Sequence, residues 1–197
     1  MSPYHHGDLR RAILTAALDV IATDGPSALS LRDLARRAGV SHAAPAHHFR
    51  DRTGLLTAIA AEGHGLLAEA LARATDLRDA GVRYVRFARR HPAHFQVMFT
   101  PGLLHTDDLE LTTAQALSRT ALTDAIAAAT PPAPTAAATP PAPTGDDTDA
   151  RLTRIAVWSL AHGFATLLLD HNLDGLLGDD DPEEVLRRLP MSLFPSG

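Results

Sequence analysis

The sequence predicts an all-α protein, and three observations support this fold class. Apolar residues recur at steps of three and four positions over most of the chain, a spacing that places them on one face of a helix. Residues that start and stop helices, among them Ser30 and Gly39, bound these segments. No segment shows the alternating apolar and polar pattern of a half-buried strand.

The first three predicted helices follow one another closely at the N-terminus. A helix is expected over residues 8–23. Ser30 and Asp33 have the spacing of a capping box at the start of the second helix, and Gly39 suits its left-handed C-terminal stop. Ser41 is the expected N-cap of a third, short helix. This order is typical of a helix-turn-helix, and equally of a helical hairpin with no role in DNA binding.

Beyond this module the pattern predicts a longer helical region. A long helix is expected from Arg52 to about Leu77. Further helices are predicted at 79–90, 91–99, 107–129, 149–170 and 183–189. We therefore divide the chain into a domain of residues 1–54 and a domain of residues 55–197.

Residues 130–148 form a proline-rich segment with two near-identical TPPAPT units and no apolar periodicity. Such a composition is typical of an extended or flexible surface loop. Proline-rich segments can also dock in aromatic grooves of partner proteins. A spacer accounts for this segment without any partner, so we assign it no function.

Composition excludes several kinds of site. The chain has no cysteine, which rules out disulfides, thiol catalysis and cysteine-based zinc or iron–sulfur sites. The first residues show no charged leader followed by an apolar run. No stretch reaches the roughly 18 uninterrupted apolar residues of a membrane span. These features indicate a cytoplasmic protein.

Charge is distributed unevenly along the chain. The net charge is -5, yet residues 1–54 carry seven Arg and five Asp, while residues 55–197 carry 11 Arg and 18 acidic residues. A mildly basic N-terminal part suits a nucleic-acid partner. Chance scatter of solvated charge would give the same distribution, so charge alone does not decide between the two interpretations.

Four short motifs occur in order in the N-terminal part. They are the opening YHHGDLR, then LRDLARRAG at 31–39, the V-S-x-A pattern at 40–43, and HHF-x-D-R-x-x-L at 47–55. Together they resemble the tetracycline-repressor (TetR) family of bacterial transcription regulators. In the second part, WSLAHG around Trp158 and HPAHFQVMF at 91–99 are similar to the class of TetR ligand-binding domain with a Trp-His-Gly signature.

The resemblance implies a DNA-binding repressor that acts as a homodimer on a palindromic operator and is released by a small-molecule effector. Helices 149–170 and 183–189 are the expected dimer interface, because the first carries too much apolar surface for one buried face. In such a dimer the two recognition helices lie about 34 Å or more apart. No cofactor is expected.

A recognition helix places its first side chains against base edges, while neighbouring groups contact phosphates. Ser41, His42 and His47 can donate hydrogen bonds here, whereas alanines can only touch a thymine methyl. Arg52 is expected to contact a phosphate at the start of the next helix, and the first residues form either a DNA-contacting arm or a frayed terminus. The predicted DNA-binding residues are Tyr4, His5, His6, Arg10, Ser30, Ser41, His42, Ala43, Ala44, His47, His48 and Arg52.

Two residues of this segment depart from the family pattern. With Ser41 as N-cap, Pro45 would be the fourth helical residue and would remove a single intrahelical hydrogen bond. Ala46 stands where the family usually has a tyrosine that helps contact the DNA backbone. We therefore expect weakened DNA binding without a change in the preferred bases. Phe49 is assigned to the core.

The predicted ligand-binding residues would line an apolar cavity with one or two polar anchors, as small-molecule sites do. They are Phe87, Phe95, Met98, Phe99, Trp158 and His162. Core packing is the alternative for each of them taken singly. His162 is the expected polar contact.

The alternatives to this interpretation are a metal site, a histidine-dependent enzyme and a helical interaction protein. The 11 histidines include a close group in His42, His47 and His48 and a pair one turn apart in His91 and His94, but no metal-binding spacing accompanies them. No metal site is predicted. A histidine-dependent enzyme would need a nucleophile, paired carboxylates or a phosphate loop, none of which the sequence shows. A helical interaction protein that has lost DNA binding is the remaining alternative.

Overall fold

The computed structural model describes residues 6–129 and 146–189. The all-α prediction is confirmed, since the structure assigns no strand in these ranges. Tyr4, His5 and residues 130–145 of the proline-rich segment lie outside the described residues. The helices are α1 (His6–Asp24), α2 (Leu31–Arg37), α3 (Ala44–Phe49), α4 (Arg52–Leu71), α5 (Leu77–Arg90), α6 (Pro92–Met98), α7 (Leu109–Ala129), α8 (Asp146–Leu169), α9 (Asp174–Leu177) and α10 (Pro182–Arg188).

Several boundaries differ from the sequence-based expectation. Helix α4 ends at Leu71 instead of about Leu77, so the linker to α5 is longer than expected. Helix α9 and two single turns of 3-10 helix, at Pro26–Ala28 and Pro101–Leu103, were not predicted. Each of these elements is four residues or shorter, too short to produce an apolar period.

The chain forms two compact units. The first contains residues 1–67 and 91–118, and the second contains residues 68–90 and 119–197. Helices α4 and α7 each contribute residues to both. The two units are described separately below.

The core of the first unit is built from the apolar faces predicted for the N-terminal helices. Ile13 and Leu14 of α1, Leu34 of α2 and Leu55 of α4 are fully or almost fully buried. Phe49 at the end of α3 is also buried, as expected. Burying such side chains supplies most of the free energy that holds a short helix such as α3 in place.

The residues at the two ends of α2 and before α3 follow the predicted chemistry in part. Ser30 is the N-cap of α2 and its hydroxyl accepts from the Asp33 N–H at 3.5 Å. Gly39 has φ +66°, the left-handed conformation that glycine adopts at least cost. The prediction for Ser41 was wrong, because α3 begins at Ala44 and Ser41 contributes its carbonyl, which accepts from the Ala44 N–H.

The later start of α3 changes the position of Pro45 in the helix. Pro45 occupies the first turn beside Ala44, where main-chain N–H groups have no intrahelical acceptor. It therefore removes no helical hydrogen bond, and its ring is fully buried against the core. The proline is better accommodated than the sequence suggested.

The junction between α3 and α4 is the most constrained backbone of the first unit. Arg50 has φ +66°, which is unusual for a residue with a side chain. The Asp51 carboxylate accepts from the Gly54 N–H at 2.7 Å and so caps α4. This hydrogen bond is the main reason why the pKa of Asp51 lies below its ordinary value.

In the second unit α5 packs against α8 and α10. Its apolar face, including Val82, Val85 and Phe87, is buried. On its polar side Arg86 forms an ion pair with Glu183 of α10, with 2.5 Å between Nη2 and Oε2. Arg86 also lowers the pKa of Glu183, so this pair joins α5 to α10 at neutral pH.

Helix α8 is unusually exposed for an apolar helix. Leu152 and Ile155 are each 53% exposed. Among the described residues, only the stretch 151–169 has the length and mean hydropathy, 1.4, of a membrane span, and 11% of it is buried. Length and composition of this kind are also found in helices that pack against a protein partner.

Gly54 provides a test of the α3–α4 junction. A Cβ atom at this position would overlap the main-chain carbonyl oxygen of Phe49, so we expect Gly54→Ala to lower the free energy of unfolding by about 2 kcal/mol or more. Gly65, in the same helix, has open space around it. Gly65→Ala is expected to be neutral or stabilising by up to about 1 kcal/mol. Chemical denaturation of both variants measures the difference, and equal stabilities would contradict the constraint.

Candidate DNA-binding surface and candidate ligand-binding residues

The third helix and the turn before it present a continuous exposed surface. Ser41, His42, Ala43 and His47 are exposed, and Ala44 and His48 are half-buried. The inward side is closed by Pro45 and Phe49. Exposed side chains on a short helix of this kind are able to contact a DNA groove.

Arg52 donates hydrogen bonds to two main-chain carbonyls of its own chain. Its Nη2 donates to the Pro26 carbonyl at 2.6 Å and its Nε donates to the Leu29 carbonyl at 3.2 Å. Both carbonyls belong to the segment between α1 and α2. In this structure the arginine holds that segment against the start of α4.

Arg10 lies in the first helix, as the predicted helix over residues 8–23 implies. Helix α1 begins at His6, so both His6 and Arg10 are helical. The Arg10 guanidinium carbon lies 5.4 Å from the centre of the Phe49 ring, and its Nη2 is 3.8 Å from Oε2 of Glu110. Arg10 is thus directed over the end of α3.

Exposed positive charge near α3 comes from residues outside the predicted set. Arg32, Arg36 and Arg37 of α2 and Arg50 after α3 are exposed. Arg36 lies 3.6 Å from Asp33, a weak exposed ion pair. In the sequence these arginines of α2 lie on its polar side. Any solvent-exposed helix has such a side, so the pattern did not identify them as DNA contacts.

A cleft of about 490 Å³ lies on the first unit beside the end of α3. Its lining includes Arg10, His48 and Arg50, and also the acidic residues Asp107 and Asp108. His105 is anchored at its edge by its main-chain N–H, which donates to Thr57 Oγ1 at 3.0 Å. An acidic loop therefore lies close to the end of the predicted recognition helix.

Three of the predicted ligand-binding residues belong to the first unit. Phe95 and Met98 are buried and Phe99 is half-buried. The Phe95 and Phe99 rings are 5.3 Å apart and lie edge to face. Because α6 carries Met98 directly against Gly63, a side chain on Gly63 would meet the Met98 sulfur.

Three buried polar side chains accompany these aromatic residues. His64 Nδ1 and the Ser118 hydroxyl are hydrogen-bonded at 3.0 Å, and the His64 ring lies edge-on to Phe99 at 5.8 Å. His94 is 5% exposed, and its Nε2 is 3.9 Å from Oε1 of Glu62. Burial lowers the pKa of His94, although Glu62 acts in the opposite direction. Sequence reasoning did not include His64 or Ser118 in a site.

The other three predicted ligand-binding residues belong to the second unit. Phe87 is buried, whereas Trp158 is 42% exposed. The rings of Trp158 and His162 are 5.2 Å apart. Nδ1 of His162 is hydrogen-bonded to the Tyr84 hydroxyl at 2.8 Å. The predicted pair is therefore brought together, with Tyr84 as a partner that the sequence pattern did not identify.

The protonation of this group follows from its burial. Burial raises the pKa of Tyr84, and a hydrogen bond with Trp158 acts in the opposite direction. Burial also lowers the pKa of His162. Both groups are therefore neutral at pH 7. An indole can only donate a hydrogen bond, so Tyr84 can accept from Trp158 and donate its own proton to His162.

Two pairs of histidine rings lie close together in the structure. The His91 and His94 rings are 5.7 Å apart, and those of His47 and His48 are 5.5 Å apart. In residues 6–129 and 146–189, no group of three or more histidine and acidic side chains could hold a metal ion. The geometry of these residues offers no metal centre.

Two sequence families match the chain. The family of tetracyclin repressor-like C-terminal domains matches residues 77–191. The family of bacterial regulatory proteins described as the tetR family matches residues 13–59. The comparison with curated proteins gave no match.

Solved structures with the same fold cover nearly the whole chain. A protein of unknown function from Rhodococcus sp. RHA1 is 32% identical, with a TM-score of 0.71, over 94% of this chain and 93% of its own. PfmR, a TetR-family transcriptional regulator from Thermus thermophilus, is 21% identical, with a TM-score of 0.62, over 89% and 92%. A tetR-family regulatory protein from Rhodococcus RHA1 is 20% identical, with a TM-score of 0.64, over 91% and 92%.

The lowered pKa of His162 predicts a pH dependence of stability. In the unfolded chain a histidine has its ordinary pKa of 6.5, so the unfolded state binds more protons just below this pH than the folded state does. The free energy of unfolding should therefore fall as the pH decreases through 6.5. His162→Gln keeps an acceptor for Tyr84 but cannot titrate, and we expect a smaller decrease. Urea unfolding between pH 7.5 and 5.5 measures both slopes, and identical slopes would contradict the assignment.

Proposed function

This chain belongs to the tetracycline-repressor (TetR) family and is a DNA-binding transcriptional regulator, and we propose that it is a repressor that a small-molecule effector releases from its operator. The observation that carries the proposal is the exposed face of α3. It follows a left-handed glycine turn and is supported from behind by Pro45 and Phe49. A helix held in this way can enter a major groove.

The bases are proposed to be read by few side chains. Ser41, His42 and His47 supply hydrogen-bonding groups, and Ala43 and Ala44 supply close apolar contact. Ser30, Tyr4, His5, His6 and His48 are proposed as flanking contacts, with Arg10 directed over the end of α3. Arg52 is proposed to contact a phosphate at the start of α4, and the exposed arginines of α2 are proposed to add further phosphate contacts.

A homodimer through α8 and α10 is part of the proposal. Leu152, Ala156, Ser159 and Gly163 are spaced to share one side of α8. This side is open in the chain, since a Cβ on Gly163 would meet no atom within 4 Å. Small residues allow two helices to pack closely, and a second subunit would cover the apolar surface on this side of α8. We therefore propose that this side of α8 is a protein interface. We also propose that the protein is cytoplasmic.

The remaining proposals concern the domain division and the effector. We propose that residues 1–54 bind DNA and that residues 55–197 bind the effector and the second subunit. Phe87, Phe95, Met98, Phe99, Trp158 and His162 are proposed to contact the effector, and the Trp-His-Gly class is the proposed subtype. TetR-family regulators are generally not enzymes. The exposed Ala46 favours one alternative, an interaction protein of the same fold with weakened DNA binding.

Operator selection from a random DNA pool tests the proposal. A repressor should enrich a palindromic sequence, and its affinity should fall steeply with rising salt because phosphate contacts release counterions. A slope of log K against log salt near zero, or no enrichment at low salt, would favour the interaction-protein alternative.

Substitution of Ala46 tests whether the missing tyrosine weakens binding. Ala46 is exposed on α3, so Ala46→Tyr can present a hydroxyl to the DNA backbone without disturbing the core. We expect operator affinity to rise roughly twofold to tenfold, the value of one added hydrogen bond. Ala46→Phe is the control, because it adds the ring without the hydroxyl. Unchanged affinity of Ala46→Tyr in an operator titration would contradict the hypothesis.

Gly163 provides a test of the proposed dimer. Gly163→Leu should leave the subunit folded, because the position is open and leucine favours a helix more than glycine does. It should shift the equilibrium from dimer to monomer in sedimentation experiments. Gly65→Leu, also at a helical position in open space, is the control and should not change the dimer. A dimer that tolerates Gly163→Leu does not use this side of α8.

A further inference from the structure

We propose that a groove between α7 and α8 of the second unit is a further ligand site, which binds an organic anion with an apolar body. Of the residues proposed above to contact the effector, this groove contains Trp158 alone. The groove has a volume of about 300 Å³. Its lining residues are Arg119, Leu122, Thr123, Arg154, Ile155 and Trp158.

The wall of the groove is mainly apolar. Leu122 comes from α7, and Ile155 and Trp158 come from α8, where they are 53% and 42% exposed. Covering such surface is favourable by roughly 25 cal/mol per Å². The groove volume is at the lower end of the range of about 300–1,000 Å³ of small-molecule sites. A small apolar body therefore suits it.

Two arginines give the groove a positive charge. Arg119 on α7 and Arg154 on α8 both line it. Neither has an acidic partner within 4.0 Å in the part of the chain that the structure describes. No acidic residue lines the groove itself. A carboxylate is the matching group, because a guanidinium binds it through two parallel hydrogen bonds.

The orientation of Trp158 is fixed from behind. Its ring lies 5.2 Å from the His162 ring, at an angle of 30°, and His162 is hydrogen-bonded to the buried Tyr84 of α5. The groove thus has a rigid aromatic side that is connected to the core of its unit. A preformed wall lowers the cost of ordering the site when a ligand binds.

The groove and the proposed dimer surface lie on different sides of α8. Arg154 and Trp158 are rotated by about a third of a turn or more from the side formed by Leu152, Ala156, Ser159 and Gly163, and Ile155 lies at the border between the two sides. A second subunit on the small-residue side would therefore leave the arginine groove accessible. The positive charge of Arg119 and Arg154 favours a small anion as the occupant of the groove.

Fluorescence of the purified full chain tests the inference directly. Trp158 is the single tryptophan of the chain, so its emission reports on this groove alone. Octanoate should change the emission in a saturable manner. Neutral 1-octanol, which has the same apolar body, and inorganic phosphate, which has only the charge, should bind at least about tenfold more weakly. Equal binding of octanoate and octanol, or no saturable change with octanoate, would overturn the inference.

Arginine variants locate the anion. Arg119→Gln and Arg154→Gln should each weaken octanoate binding, by about tenfold for the double variant. Arg151→Gln is the matched control, because this exposed arginine of α8 does not line the groove. If the double variant keeps wild-type octanoate affinity, or if it loses the dimer, the groove does not bind an anion in the proposed way.

Operator binding by the wild-type chain is measured in the same buffer. Failure to bind DNA while octanoate still saturates Trp158 would contradict the proposed repressor function and leave the groove assignment standing. Firm DNA binding without any octanoate response would overturn the groove assignment alone.

Discussion

The arrangement of the DNA-binding helices depends on the junction at the start of α4. Arg52 reaches back to the carbonyls of Pro26 and Leu29, while Asp51 caps the helix through the Gly54 N–H. Arg50 turns the chain between α3 and α4 in a left-handed conformation. These contacts connect α4 to the loop before α2 and to the end of α3. The exposed face of α3 is therefore positioned by charged and main-chain groups as much as by apolar packing.

Much of the fold could be predicted from local pattern, and the failures have physical reasons. Gly39 and Ser30 act as the sequence indicated because a left-handed stop and an N-cap depend on local backbone chemistry. Ser41 was misassigned because the chain makes an extra turn before α3, closed by the Ala44 N–H and the Ser41 carbonyl, and α3 then begins without a side-chain cap. The partners of Arg52 lie 23 and 26 positions away in the sequence, beyond the reach of a helical period.

The candidate ligand residues show the same division between local and distant information. Trp158 and His162 are one turn apart, so their contact followed from the spacing alone. Tyr84 is 78 positions from His162, and their hydrogen bond depends on how α5 packs against α8. Arg119 and Arg154 likewise come from different helices. Sequence reasoning identified the aromatic part of this region and missed the arginines, because a lone arginine on a helix usually marks a solvated face.

The position of Pro45 has a consequence for the thermodynamics of DNA recognition. Its ring fixes φ in the first turn of a six-residue helix that has little stability of its own. Proline also limits the conformations open to the unfolded segment, so less chain entropy is lost when the helix forms. A recognition helix with few side-chain contacts then retains a larger share of its contact energy as affinity. The rigidity of α3 before it binds DNA thus compensates for the small number of its side-chain contacts with DNA.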